Sequence, residues 1–289
     1  MAADQKDYSS ISPSAKSLLL MKGYTNIPYA KETAALLQGP EVFDLSFDEK
    51  DFWFWIRVMH FENRYWTIDQ LLKQTDTKNI LELSSGFSFR GLDLCIKDRT
   101  IHYIDTDLPD VVDVKKDLID KLHLNQEIKG DFELLPLNAL DESDFSSVVS
   151  RFEEGPLTIV NEGLLMYLGV EEKRRLCKII HKTLHKKGGC WITADVYVKR
   201  TAELRGALPQ TKSETAFFEK HNIEENKFES YEAAEAFFKS EGFELVKEAI
   251  PDYASLSVLP QLLKVMPEEA KNKKEPPPKI QATWMLRSL

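Results

Sequence analysis

Ile80-Leu81-Glu82-Leu83-Ser84-Ser85-Gly86-Phe87-Ser88-Phe89-Arg90-Gly91-Leu92-Asp93-Leu94 is the stretch on which the fold turns. Asn79–Leu83 is a short apolar run that reads as a strand, and the residues from Arg90 onward carry helical spacing. A glycine-bearing turn leading from strand into helix is where an open α/β sheet places its ligand loop. A dinucleotide fingerprint there needs G-x-G-x-x-G, so that backbone can approach a pyrophosphate at the helix N-terminus. This loop instead runs E-x-S-x-G-x-S, from Glu82 through Ser84 and Gly86 to Ser88, with a single glycine kept. Serines at those places crowd a pyrophosphate; a ligand without phosphate asks less. The whole chain has only 12 glycines, which points the same way. Taken alone, the loop is equally compatible with a plain strand-to-helix turn.

Outward from this loop, short apolar runs alternate with helical patterns, the signature of a parallel sheet covered by helices. Thr100–Asp105 (TIHYID) reads as the second strand, Phe132–Leu137 as the third, Leu157–Asn161 as the fourth and Cys190–Val196 as the fifth. Lys187-Gly188-Gly189 stops a helix over Glu171–His185. Tyr231–Ser240 reads as a further helix and Phe243–Ile250 as a strand. Asn272–Lys279 (NKKEPPPK) is a charged, proline-rich loop, followed by the strand-like Ile280–Leu286. Two late strands joined by a long excursion form an antiparallel hairpin at one sheet edge. Before the first strand, Pro13–Met21, Tyr29–Leu37 and Asp48–Lys73 read as helices. The last carries an aromatic stripe over Trp53, Phe54, Trp55 and Phe61 that reads as the face docked on the sheet. The expected division is a helical lid over residues 1–75 and a sheet domain over 76–289, working as one unit.

Composition narrows the class. Lys plus Arg number 38 and Asp plus Glu 47, a net charge of −9, with 43% hydrophobic and 29% charged residues. That balance suits a globular protein and disfavours nucleic acid or an anionic membrane as partner. No apolar run reaches the roughly 18–20 residues of a membrane span. The start MAADQKDYSS lacks the basic and apolar regions of a signal peptide. Cys95, Cys177 and Cys190 make neither a disulfide framework nor metal-ligand spacing, so no metal and a cytoplasmic location are expected.

Carboxylates mark the strand ends. Asp105 and Asp107 follow the glycine loop by about 20 residues, where a ribose diol is read in this topology; either is also placed to cap a helix over Asp110–Lys116. Glu162, followed by Gly163, leaves the fourth strand toward the crevice, or pairs as a loop carboxylate with a lysine. S-adenosylmethionine is a phosphate-free ligand of the required kind. It needs one close backbone approach, an acidic strand end for its ribose and a group to hold its carboxylate.

Together these stretches resemble the leucine carboxyl methyltransferase family, which also contains O-methyltransferases of polyketide pathways. Ser14–Ala30 (SAKSLLLMKGYTNIPYA) looks like the family's N-terminal segment, in which a lysine precedes a G-Y…P-Y element. Arg64–Leu72 (RYWTIDQLL) resembles its R-x-x-x-x-D motif, and Leu81–Arg90 its L-G-A-G-x-x-T-R loop. Ile104–Lys116 (IDTDLPDVVDVKK) is similar to its E-V-D-x-P…K element, and Asn161–Glu172 (NEGLLMYLGVEE) to its A-E-G-x-x-x-Y-L motif. The match covers about residues 8–200, in order.

The resemblance implies an α/β class I methyltransferase fold: a Rossmann-like, seven-stranded, mostly parallel sheet with an antiparallel C-terminal hairpin. It implies S-adenosylmethionine as cofactor and methyl transfer to a carboxylate or hydroxyl oxygen, of a small polyketide-type molecule or else of a protein's C-terminal leucine. By the same resemblance Lys16 lies near the cofactor, Arg64 pairs with its carboxylate and Gly86 is the loop glycine. Asp107 then binds ribose, Glu162 meets the amino group and Tyr167 stands beside the reacting centre. Glu82 and Asp105 join the cofactor set as strand-end acids. Asn138, with Ala139 next to it, takes the place of an aspartate near the adenine and can still bond its amino group. Ser84 replaces the family's first loop glycine, which implies a reshaped loop. Lys199–Phe228 is expected to contribute to the acceptor pocket. His60 is a candidate base, or a packed core histidine. Two rivals of other classes are a non-catalytic cofactor-binding relative and an NAD-dependent dehydrogenase; the missing fingerprint counts against the latter.

Overall fold

The computed structural model describes residues 12–37, 49–199, 211–271 and 279–289. Its strands are β1 (Asn79–Leu83), β2 (His102–Asp107), β3 (Asp131–Pro136), β4 (Leu157–Asn161), β5 (Gly189–Tyr197), β6 (Phe243–Glu248) and β7 (Gln281–Ser288). They form one seven-stranded sheet in the order β3-β2-β1-β4-β5-β7-β6. β7 alone runs antiparallel to its neighbours β5 and β6. The seven strands, mostly parallel with an antiparallel C-terminal pair, are those that the resemblance implies. β1 and β4 are buried at every residue, because helices cover both faces, and that is why they read as unbroken apolar runs.

The helices before the sheet are α1 (Ser12–Lys22), α2 (Ala30–Leu36) and α3 (Phe52–Leu72). Those within it are α4 (Arg90–Lys97), α5 (Pro109–Lys121), α6 (Glu142–Val149) and α7 (Val170–Lys187). After β5 come α8 (Lys212–Lys220), α9 (Tyr231–Ser240) and α10 (Leu259–Val265). The expected loop Asn272–Lys279 lies outside the described residues except for Lys279. No helix among the described residues is long and apolar enough to cross a membrane.

One departure from the sequence reading has a local cause. The second strand starts at His102, not Thr100, because Asp98 Oδ1 accepts from Thr100 N at 2.8 Å and Thr100 Oγ1 at 2.7 Å and holds it in a turn. It then runs on to Asp107, whose partner in the β3 ladder is Pro136, so both candidate aspartates are strand residues. Helix α3 meets two different surfaces. Asp51 caps its start, accepting from Phe54 N at 2.8 Å. Its first half packs Phe54, Trp55 and Val58 against Met21 of α1 and Leu262 of α10. Its second half buries Ile68, Leu71 and Leu72 with Ile80, Cys95, Ile192 and Met285. The end of α3 is thus part of the sheet's own core, while α2 packs Leu36 against the cluster that holds Phe89, Leu92 and Leu134.

Chain order reverses between β1 and β4, which sit side by side and lead in opposite directions across the sheet. The C-terminal ends of β1, β2, β4 and β5 converge there, where an open α/β sheet holds its ligand.

Candidate functional site

The β1–α4 loop keeps the left-handed turn that the glycine pattern demands. Ser84 (φ 51°) and Gly86 (φ 55°) both occupy that region. Serine at the first position therefore leaves the turn intact at a cost of about 1–2 kcal/mol. A Cβ on Gly86 would stand 3.4 Å from Ala15 Cβ, which places α1 directly over the loop.

The strand-end acids divide by environment. Glu82 is fully buried, accepting from Arg90 Nη1 at 2.8 Å and from Tyr103 OH at 2.7 Å. Asp105 is fully buried too, bonded through one oxygen to Ser85 Oγ and through the other to Lys115 Nζ at 2.6 Å. Burial pushes Asp105 up to about 6, with Lys115 opposing and Glu82 adding to the rise. Both oxygens of each of these two acids are thus turned inward to fixed cations and hydroxyls. Asp107 differs. Its oxygens accept from Gly86 N at 2.6 Å and Leu108 N at 2.7 Å, and it keeps 9% exposure at the loop. A carboxylate offers about four acceptor positions, so two backbone donors leave room for a diol.

Glu162, beyond the end of β4, is the hub of the site. Lys22 Nζ lies 2.7 Å from its carboxylate, Arg90 Nη2 3.4 Å and Arg64 Nη2 3.7 Å. Burial works to raise its pKa, but Lys22, Arg64 and Arg90 overcome that and hold it at about 2. The alternative of a loop carboxylate paired with a lysine is therefore realised. The lysine is Lys22, which the sequence reading missed; Lys16 sits half-buried on the same helix.

Arg64 is 2% exposed and donates through Nη1 to Tyr197 OH at 3.0 Å. Its Nε and Nη2 are buried and carry no hydrogen bond among the described residues. The loop after β4 comes close to them: a Cβ on Gly163 (φ 89°) would meet Arg64 Nη2 at 3.3 Å. Asp195 of β5 shapes that loop by accepting from Gly163 N at 2.7 Å, Leu164 N at 2.6 Å and Leu165 N at 3.1 Å. Asn161 Nδ2 donates to the same carboxylate at 2.6 Å, while its Oδ1 accepts from Trp191 Nε1 at 2.7 Å.

Tyr167 OH lies 3.0 Å from Ser14 Oγ of α1, and its ring meets Phe217 and His221 edge-on. Of the expected pocket segment Lys199–Phe228, residues 200–210 lie outside the described residues. Asn138 Oδ1 accepts from Leu140 N at 3.0 Å, and Ala139 is buried. His60 Nε2 is 2.8 Å from Tyr197 OH. The structure thus gathers Arg64, Glu162 and Asp195 within one charge cluster, with Gly86 and Asp107 at the neighbouring loop. Arg90, Asp195 and Tyr197 were not singled out from the sequence. A carboxylate inside the apolar strand CWITADVY is the signal that would have found Asp195.

No protein-family model matches the chain, and no curated protein sequence does. Among solved structures it is similar to a DUF574-family protein from Streptomyces avermitilis, with a TM-score of 0.55 and 14% identity over 96% of this chain and 97% of that one. The fold is that of the class I methyltransferases. A lesser likeness links it to magnesium protoporphyrin IX methyltransferase from Synechocystis, solved with bound SAH, at a TM-score of 0.49 and 9% identity over 94% and 99% of the two chains. Another is mitomycin 7-O-methyltransferase, at 0.45 and 10% over 84% of this chain, which spans 62% of that protein's length.

Proposed function

We propose that this protein is an S-adenosylmethionine-dependent O-methyltransferase of the leucine carboxyl methyltransferase kind, acting on a small, polyketide-type acceptor. The observation that carries the reading is Arg64, whose buried Nε and Nη2 donors have no hydrogen bond at the switch point of the sheet. A buried arginine edge is costly to leave without hydrogen bonds, and a ligand carboxylate satisfies both donors at once. Glu162, anionic through its cations, is placed to meet an amino group. Asp107 is the acid for a ribose diol, Asn138 and Ala139 flank the adenine, and Lys16 and Lys22 belong to the α1 side of the site. Gly86 and Gly163 give the close backbone approach. These residues fit the cofactor, which supplies a methyl group on a positive sulfonium.

The task left to the chain is alignment of two reactants for in-line displacement. The N-terminal helices serve as the lid in this reading, with α1 covering the loop and Ser14 oriented by Tyr167. Tyr167 positions the acceptor oxygen. An acceptor carboxylate is already ionised at neutral pH and needs no base, whereas a hydroxyl needs one within hydrogen-bond reach. Calorimetric titration with S-adenosylhomocysteine and with NAD, side by side, tests the cofactor. Binding of the first and not the second is expected, and the reverse overturns the reading. Transfer of labelled methyl to a panel of small phenols and carboxylic acids, against a peptide ending in leucine, then tests the acceptor class.

A further inference from the structure

Arg64 is anchored by one edge only. Its Nη1 donates to Tyr197 OH at 3.0 Å, and no other side-chain hydrogen bond of Arg64 exists among the described residues. The same phenol oxygen lies 2.8 Å from His60 Nε2. His60 and Arg64 stand at i and i+4 on α3, neighbours on one helix face, and Tyr197 at the end of β5 bridges them. A guanidinium held at Nη1 keeps Nε–H and Nη2–H free as a parallel pair, the side-on fork that matches a carboxylate. Those two atoms are the ones left without a hydrogen bond.

The anchor works against a competing pull. Asp195 Oδ1 and Glu162 Oε1 lie 3.5 and 3.7 Å from Nη2, outside hydrogen-bond distance but close enough to attract it strongly in a buried setting. A guanidinium released from Tyr197 would swing onto these acids and spend its fork on them. The phenol holds the arginine without neutralising it: burial pushes Tyr197 up to about 12, so at neutral pH it is an uncharged hydroxyl.

We propose that Tyr197, braced by His60, is a positioning residue that keeps the Nε/Nη2 edge of Arg64 turned toward the carboxylate of the cofactor. The proposal rests on the S-adenosylmethionine reading above. Its test compares two ligands by calorimetry: S-adenosylhomocysteine, and 5′-methylthioadenosine, which has the nucleoside and sulfur but neither amino group nor carboxylate. Tyr197→Phe keeps the ring and removes the anchor. It should weaken S-adenosylhomocysteine about tenfold, as loss of one hydrogen bond from a charged group implies, and leave 5′-methylthioadenosine unchanged. His60→Leu should shift the same ligand in the same direction, and His60→Gln, which retains a polar partner for the phenol, should restore most of the affinity. Unchanged S-adenosylhomocysteine affinity in Tyr197→Phe overturns the proposal, as does an equal loss for both ligands. Failure of the wild-type protein to bind S-adenosylhomocysteine overturns the cofactor reading itself, which the mutant comparison leaves untouched.

Discussion

Replacing Glu162 by Gln should expose the mutual repulsion of three cations. Lys22, Arg90 and Arg64 converge on its carboxylate at 2.7, 3.4 and 3.7 Å, and the side chain is 4% exposed. Its folded pKa of about 2 against an ordinary 4.5 makes it a source of stability above pH 4.5 that is lost as pH falls toward 2. The difference of roughly 2.5 units, at ~1.4 kcal/mol each, corresponds to about 3 kcal/mol. The net worth of the cluster is lower, because burial draws Lys22 below its ordinary value and Arg64 and Arg90 repel it. We expect Glu162→Gln to cost about 2–3 kcal/mol at pH 7, or roughly 5–10 °C in Tm. Lys22→Met should cost less, since Glu162 keeps both arginines. Thermal and urea unfolding of the wild type and both variants between pH 7 and pH 3 provide the assay. The gap between the wild type and Glu162→Gln should narrow below pH 4.5. Equal stability at pH 7, or a gap that does not narrow in acid, refutes the reasoning.

Three further outcomes follow from the same geometry. Arg64→Ala should raise the Kd for S-adenosylhomocysteine by about tenfold or more, at ~1.5–3 kcal/mol for a charged hydrogen bond; unchanged calorimetric binding removes Arg64 from the site. Asp195→Asn sets an amide donor among backbone donors on the loop after β4 and should cost about 2–4 kcal/mol in urea unfolding. A wild-type midpoint there would mean that the loop is held by other contacts. Ser84→Gly relieves a left-handed residue and should stabilise by up to about 1 kcal/mol while retaining cofactor affinity. Loss of stability would assign the serine side chain a role of its own.

The strands were legible because strands covered on both faces have no polar side to interrupt them. NILEL and LTIVN announce themselves, and the ladder confirms them residue for residue. The order of strands was not legible, since each pairs with partners set by the helices crossing between them. The apolar stripe of α3 shows that the helix packs but not which surface each half meets: Phe54, Trp55 and Val58 meet α1 and α10, whereas Ile68, Leu71 and Leu72 meet the core of the sheet. Strand limits shifted where one hydrogen bond decides them, as at Asp98 and Thr100.

The site was legible as a set of positions and less so as a set of roles. Asp105 and Asp107 lie two apart on one strand and so share a face. What separates them is depth: Lys115 reaches from α5 to the inner one, while the outer one meets the glycine loop. A sequence offers both carboxylates and does not show which lysine arrives. The two arginines make the same point more sharply, for both lie beside Glu162 and both belong to recognisable motifs. Arg90 is fully engaged: Nε on Asp69 at 2.8 Å, Nη1 on Glu82 at 2.8 Å, Nη2 on the Tyr65 carbonyl at 3.2 Å, with its plane over the Tyr65 ring. It ties β1, α3 and the β4 loop into one frame, a positional use of buried charge that adds little net stability. Arg64, with the same charge and the same carboxylate neighbour, keeps its fork free of hydrogen bonds. Hydrogen-bond saturation, which no motif encodes, is what separates Arg90 as a brace from Arg64, and it is the physical reason why the proposed reading assigns the cofactor carboxylate to Arg64 and not to Arg90.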